Sequence, residues 1–139
     1  MPEKEVPAAQ PIKGVFATEA VATVGFGATK RRVKQAVYVY AEETVDGMVS
    51  CRPLNTEFIP QQGGRLVSKD ELLNKFVPAP HIYFGKMLPA MRALEKAVDN
   101  ADRCRREGQL FTAEFEYKSA LRMDEDHIRA SFGLGLTYL

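Results

Sequence analysis

The segment Gly25-Phe26-Gly27-Ala28-Thr29-Lys30 holds the residue types of a phosphate cradle: glycines that expose backbone amides and a lysine to meet the charge. Its spacing does not complete one. A phosphate loop places its lysine after GxxxxG, follows it with Ser or Thr and runs directly into a helix. Here Lys30 is followed by Arg31, Arg32 and the β-branched Val33. A bend between two strands is the expected structure, and a regulatory domain sensing a small anion would have only this loop behind it. The same stretch supplies a basic run, Lys30, Arg31, Arg32 and Lys34, close in sequence to Phe26, Tyr38 and Tyr40. Cations interleaved with aromatic rings are how some small β modules hold single-stranded nucleic acid, the rings stacking on bases and the charges following phosphates. Against that, residues 1 to 67 carry eight basic and seven acidic side chains, and a charged strand edge also serves to discourage edge-to-edge pairing.

Other reactive residue types are sparse. His81 follows Pro80 and His127 falls at an expected helix start, and neither has a serine or cysteine motif that would make it a base. Cys51 is expected in a strand opposite Glu42, a poor setting for a thiolate. Glu42-Glu43 reads as hairpin surface, and Asp124-Glu125-Asp126 as negative charge at the N-terminus of the helix beginning near His127. Two cysteines and two histidines offer no set of metal ligands. No catalytic residue, cofactor or metal is therefore expected, and the chain reads as a non-enzymatic one.

The elements that must carry these residues divide near residue 68. Residues 1 to 12, with three prolines among them, read as a disordered arm. From 13 to 67, β-branched and aromatic residues broken by Gly, Pro and Asn-Thr predict a small antiparallel β domain of three to five strands. Its clearest part is a hairpin. Val33–Thr44 forms one strand, Asp46-Gly47 a two-residue type I′ turn, and Met48–Arg52 the return, which pairs Val45 with Met48 and Thr44 with Val49. The preceding Glu19–Phe26 alternates with Ala20, Ala22, Val24 and Phe26 on one side, making a three-stranded meander. Phe58–Pro60 and Arg65–Val67 flank a Gln-Gln-Gly-Gly turn and suggest a second small hairpin.

After Val67 the period becomes helical. Ser68-Lys69-Asp70-Glu71 is a capping box before Leu72 and Leu73, and Pro80 can open a helix whose stripe runs through Ile82, Met87, Met91, Leu94 and Val98. Pro89 lacks the amide that would bond to the Gly85 carbonyl, so a kink near residues 85 to 89, or a break there, is expected. Residues 68 to 93 thus read as capping and connecting helices. Gly108 closes this helix, a second runs from about Phe111 to Met123, and a third opens near His127.

With Leu94 as a first position, Ala101, Gly108, Ala113, Tyr117 and Ala120 fall at the small, glycine and aromatic positions of a 34-residue helical-hairpin repeat; Ile128, Leu134-Gly135 and Tyr138 follow one period later. On these residues the segment 94–139 resembles the tetratricopeptide repeat family: one repeat over 94–127 and the first helix of another over 128–139. The pattern departs at Ala97, Asn100, Ser131 and Glu125. The whole chain resembles the N-terminal part of a bacterial tetratricopeptide repeat protein. The resemblance implies an α+β protein whose small residues, Gly135 among them, let hairpins stack, and whose concave face takes a protein or peptide partner through Glu95, Val98, Asp102, Arg105, Arg106 and Arg129. The family's lysine and asparagine clamp for a terminal carboxylate is missing, since those positions hold Val98, Asp102 and Gly133.

The 139 residues, 45% apolar, 27% charged and formally +1, exclude a fibrous or strongly disordered polymer and give no long-range field toward polyanions. There is no run of eighteen apolar residues and no signal-peptide pattern, so a cytoplasmic chain without a membrane partner is expected. The leading expectation is a scaffolding module for protein–protein interaction, with nucleic acid not expected as its partner. The alternative is a nucleic-acid-binding β module that the helices support. Because Tyr138 and Leu139 fall inside a first helix without its companion, the sequence reads as a fragment. The face of Phe132, Leu134 and Tyr138 is then expected to pack on the β unit or on a second copy.

Overall fold

A computed structural model describes residues 10–139. The arm expected over residues 1 to 12 lies outside the described residues as far as residue 9. Ile12 does not belong to an arm: its amide donates to Glu43 Oε1 at 3.0 Å and its carbonyl accepts from the Glu43 amide at 2.9 Å.

The protein is α+β, with an antiparallel sheet followed by helical hairpins. Five strands, β1 (Lys13–Val24), β2 (Arg31–Glu43), β3 (Val49–Pro53), β4 (Arg65–Val67) and β5 (Val77–Pro78), lie in the order β4-β3-β2-β1-β5. The expected meander is β1-β2-β3. Its β2–β3 register differs by one residue from the type I′ expectation. Thr44 donates its amide to the Met48 carbonyl at 2.8 Å, and Val45-Asp46-Gly47 forms a three-residue loop in which Gly47 alone takes a positive φ of 83°. A type I′ turn needs positive φ at both central residues, and Asp46 does not adopt it. The slip places Ser50 opposite Glu42 and Cys51 opposite Ala41.

That register determines the core of this unit. Val39 and Ala41 of β2, Val49 and Cys51 of β3 and Val67 of β4 share one face, as the two-residue period requires. Leu72 from helix α1 (Lys69–Lys75) closes the cluster. Ser68 caps α1 as expected, its hydroxyl accepting the Glu71 amide at 3.0 Å. The Glu71 carboxylate turns to Arg65 at 3.5 Å and Lys75 at 3.6 Å. The second hairpin is absent among the described residues, because β4 pairs with β3 and not with Phe58–Pro60. Gly64 permits this approach: a Cβ there would stand 2.1 Å from the Cys51 carbonyl oxygen.

The chain forms two compact units, and the division is not a single cut near residue 68. The sheet unit takes the chain up to Pro53 together with Gln62–Pro80, so α1 belongs with the strands. The helical unit takes Leu54–Gln61 and His81–Leu139. Helix α2 (Pro80–Ile82) leads through a π-helical turn, Tyr83–Met87, into α3 (Leu88–Arg106). The wide turn stands just before Pro89, where the missing proline amide forbids ordinary helical bonding to Gly85. Helix α4 (Leu110–Met123) follows Gly108, which takes φ 82°, and α5 (Ile128–Thr137) follows a short turn. Leu94, Val98, Ala101, Ala113, Tyr117, Ala120 and Ala130 form the core of this unit. Ile59 joins them. Its loop is built on Asn55, whose Oδ1 accepts the Glu57 and Ile59 amides while Nδ2 donates to the Met123 carbonyl at 2.9 Å. This is why the apolar Phe58–Pro60 run is not a strand: its isoleucine fills the helical core, and Phe58 adopts φ 65° to place it.

Candidate interaction surfaces

On α3 the spacing of Asp99, Asp102 and Arg105 by three puts these side chains on one helix face. Tyr117 of α4 and Arg129 of α5 meet them there. The Tyr117 hydroxyl donates a short hydrogen bond to Asp102 Oδ1 and accepts one from Arg105 Nε at 3.0 Å. Arg129 donates to Asp102 Oδ2 through Nε at 3.1 Å and a terminal nitrogen at 2.8 Å, and reaches Asp99 at 2.6 Å. Asp102 is only 9% exposed. Burial pushes its carboxyl upward in pKa, but the hydrogen bonds from Tyr117 and Arg129 and the nearby guanidinium charges outweigh that and hold it below the usual value. The Tyr117 phenol is pushed up, first by burial.

Three of the six residues expected to meet a partner, Asp102, Arg105 and Arg129, are thus brought together but bonded to one another across three helices. Val98 is 0% exposed and belongs to the core, so it is corrected from a partner contact to a packing residue. Its place on the helix stripe already makes it apolar and inward-facing. Glu95 and Arg106 are exposed on α3. Sequence reasoning missed Asp99, whose offset of three from Asp102 was the available signal, and Gly133. A Cβ on Gly133 would lie 2.4 Å from the Tyr117 ring, so this glycine permits the α4–α5 approach. Gly135, expected to do so, has open space where its Cβ would be. The acidic triplet is not the cap of α5: His127 Nδ1 accepts the Ala130 amide at 3.1 Å.

The helical unit also leaves apolar side chains in solvent. Phe111 and Phe115 are exposed one turn apart on α4, as are Ile128 and Phe132 on α5. Leu134 packs against the core, and the Tyr138 hydroxyl donates to Glu114 at 2.7 Å.

In the sheet unit, Gly25–Lys30 is a closed turn. The Phe26 amide donates to Thr29 Oγ1, and the Thr29 and Lys30 amides donate to the Phe26 and Gly27 carbonyls, so these donors are not turned toward an anion. Gly25, at φ 95°, would place a Cβ 2.6 Å from the Thr29 carbonyl oxygen. Tyr38 and Tyr40 do not join Phe26 in an aromatic platform. They pair with Ala17 and Val15 in the body of the sheet, and Tyr40 is buried. Lys30, Arg31, Arg32 and Lys34 do fall together, on the far end of the β1–β2 hairpin. Burial pushes the Cys51 thiol up in pKa, against thiolate chemistry. Among the described residues, no group of three His, Cys, Asp or Glu side chains could hold a metal ion, and no helix is long and apolar enough to cross a membrane.

The chain matches no protein-family model, no curated protein and no solved structure.

Proposed function

We propose that the chain is a non-enzymatic binding module whose helical unit is a tetratricopeptide-type scaffold for a protein or peptide partner. The observation that carries this reading is the three-helix stack itself. Alanines 101, 113 and 120 are fully buried where helices meet, and the Asp102 network ties α3, α4 and α5 at positions the resemblance assigns to the concave face. The partner then meets Glu95 and Arg106, together with the outer edge of Arg129, whose side chain remains 51% exposed. The unpaired cysteines Cys51 and Cys104 favour a reducing compartment, and we assign the module to the cytoplasm.

The test is site-specific photo-crosslinking in cells, with the crosslinking residue placed at Glu95 or Arg106 and, as a control, at Lys69 in the sheet unit. A discrete protein adduct from the α3 sites that is absent from the control supports the reading. Equal or absent labelling at the α3 sites overturns it.

A further inference from the structure

The β1–β2 hairpin is longer than the sheet that holds it. Strand β5 pairs with β1 only at Phe16 and Ala17, and β3 pairs with β2 only over Val39–Glu43. From Glu19↔Ala36 to Val24↔Arg31 the two strands therefore have only each other. These six pairs make a ribbon of about 20 Å at the rise of an antiparallel strand. Every described side chain from Glu19 to Ala36 except Val33 is exposed. A lone two-stranded ribbon buries too little to stabilise itself, and folding gives no reason to hold Phe26 90% exposed at its tip, with Val21 exposed behind it.

Its charge is one-sided in sign. Between residues 19 and 36 there are four cations and a single acid, Glu19, which lies 3.9 Å from Lys34. Lys30, Arg31 and Arg32 have no ion pair among the described residues. Protection against edge pairing does not account for this pattern. Both strands of a ribbon are edges, yet Ala20 to Val24 on β1 carries no charge at all. The register instead distributes the cations over both faces: Arg32 and Lys34 share one with Thr23 and Val21, and Arg31 shares the other with Val24. A flat anionic surface would meet the tip or one face at a time, whereas walls of phosphate on either side would meet both faces along its length.

We propose that this ribbon enters the major groove of duplex DNA, with Arg31, Arg32 and Lys34 on the phosphate walls and Phe26 against base edges at the tip. The groove, about 12 Å wide, admits a two-stranded ribbon, and an exposed apolar ring there meets thymine methyl groups. Phe26 is a single exposed ring, not the row of rings that stacks successive bases of a single strand, and the deep, narrow major groove of an RNA duplex excludes the ribbon. The inference is independent of the partner proposed for the helical unit.

The experiment is fluorescence anisotropy of the full chain with a labelled mixed-sequence DNA duplex across a salt series. Single-stranded DNA, an RNA duplex and anionic phospholipid vesicles serve as parallel probes. The expected result is duplex DNA binding at low salt with a log–log salt slope of about −3, as for three or four phosphate contacts. The double variant Arg31→Glu, Arg32→Glu should lose at least tenfold in affinity, and the milder Arg31→Gln, Arg32→Gln should lower the slope by about 2. Phe26→Ala should weaken binding with the slope unchanged, and Lys96→Glu in the helical unit should leave it intact. A minor-groove ligand should not displace the protein. Circular dichroism identifies any variant that fails to fold. The inference is overturned by absence of duplex binding at low salt, by indifference to the ribbon substitutions in folded protein, by displacement from the minor groove, or by preference for single strands, RNA or vesicles.

Discussion

Arginines in the two units of this molecule have opposite fates. Arg105 and Arg129 lie on helices that touch, and their guanidinium groups are taken up by Asp102, Asp99 and the Tyr117 hydroxyl. Arg31 and Arg32 lie on a ribbon that pairs with no third strand, and their charges have no partner among the described residues. A buried carboxylate must have its charge met from within, so the helical arginines are structural groups first. An exposed cation without a counter-charge costs the fold little and stays available for a phosphate. The contrast says that charged residues at positions assigned by a repeat pattern are not by that fact binding residues.

Substitutions can break this contrast, beginning with the largest effect. Tyr117→Ala removes a fully buried ring and the hydroxyl that bridges Arg105 and Asp102, and should lower the stability of the helical unit by about 3–5 kcal/mol in urea unfolding. Gly133→Ala should cost about 1–3 kcal/mol by the same measurement, because its new methyl meets a ring that packing and hydrogen bonds prevent from yielding. An unchanged midpoint would mean that α5 is not held against Tyr117.

Asp102→Ala leaves the Tyr117 hydroxyl with one partner fewer and should cost about 1–3 kcal/mol. The same carboxylate sets an acid limb. Its pKa is lower folded than unfolded, so the unfolded chain binds its proton first as pH falls. The stabilisation is full above about pH 4 and is lost as pH falls through the lower folded value. Thermal melts of wild type and Asp102→Asn between pH 6 and pH 2 should converge at the acid end. The smallest effect belongs to the ribbon: Arg31→Gln with Arg32→Gln should shift stability by no more than about 0.5 kcal/mol while changing DNA binding. A large loss of stability there would show that the ribbon arginines, like the helical ones, have partners in the fold.

The helices were largely legible because helix ends are local chemistry. Gly108 takes the left-handed conformation that ends α3, the Ser68 hydroxyl meets the third amide of its helix, and Pro89 follows a widened turn. The β unit was legible as a meander but not in its register. Asp-Gly suits a two-residue turn as well as it does the last two places of a three-residue one, and only the pairing of Glu43 with Val49 decides between them. Of the residues put forward for a partner, Val98 was a core residue by the same periodicity that located its helix, and the joining of Asp102, Arg105 and Arg129 needed the approach of α4 and α5.

The amino-acid sequence by itself therefore determined the change from strand to helix, the helix boundaries, the meander and the basic run near Lys30, since each follows from residues a few positions apart. Tertiary structure alone decided that Arg65–Val67 joins β3, that Ile59 fills the helical core, that the Tyr117 ring rests on Gly133, and that the end of the β1–β2 hairpin stands free. Those outcomes depend on which distant surfaces meet, and burial and charge pairing are settled only when they do.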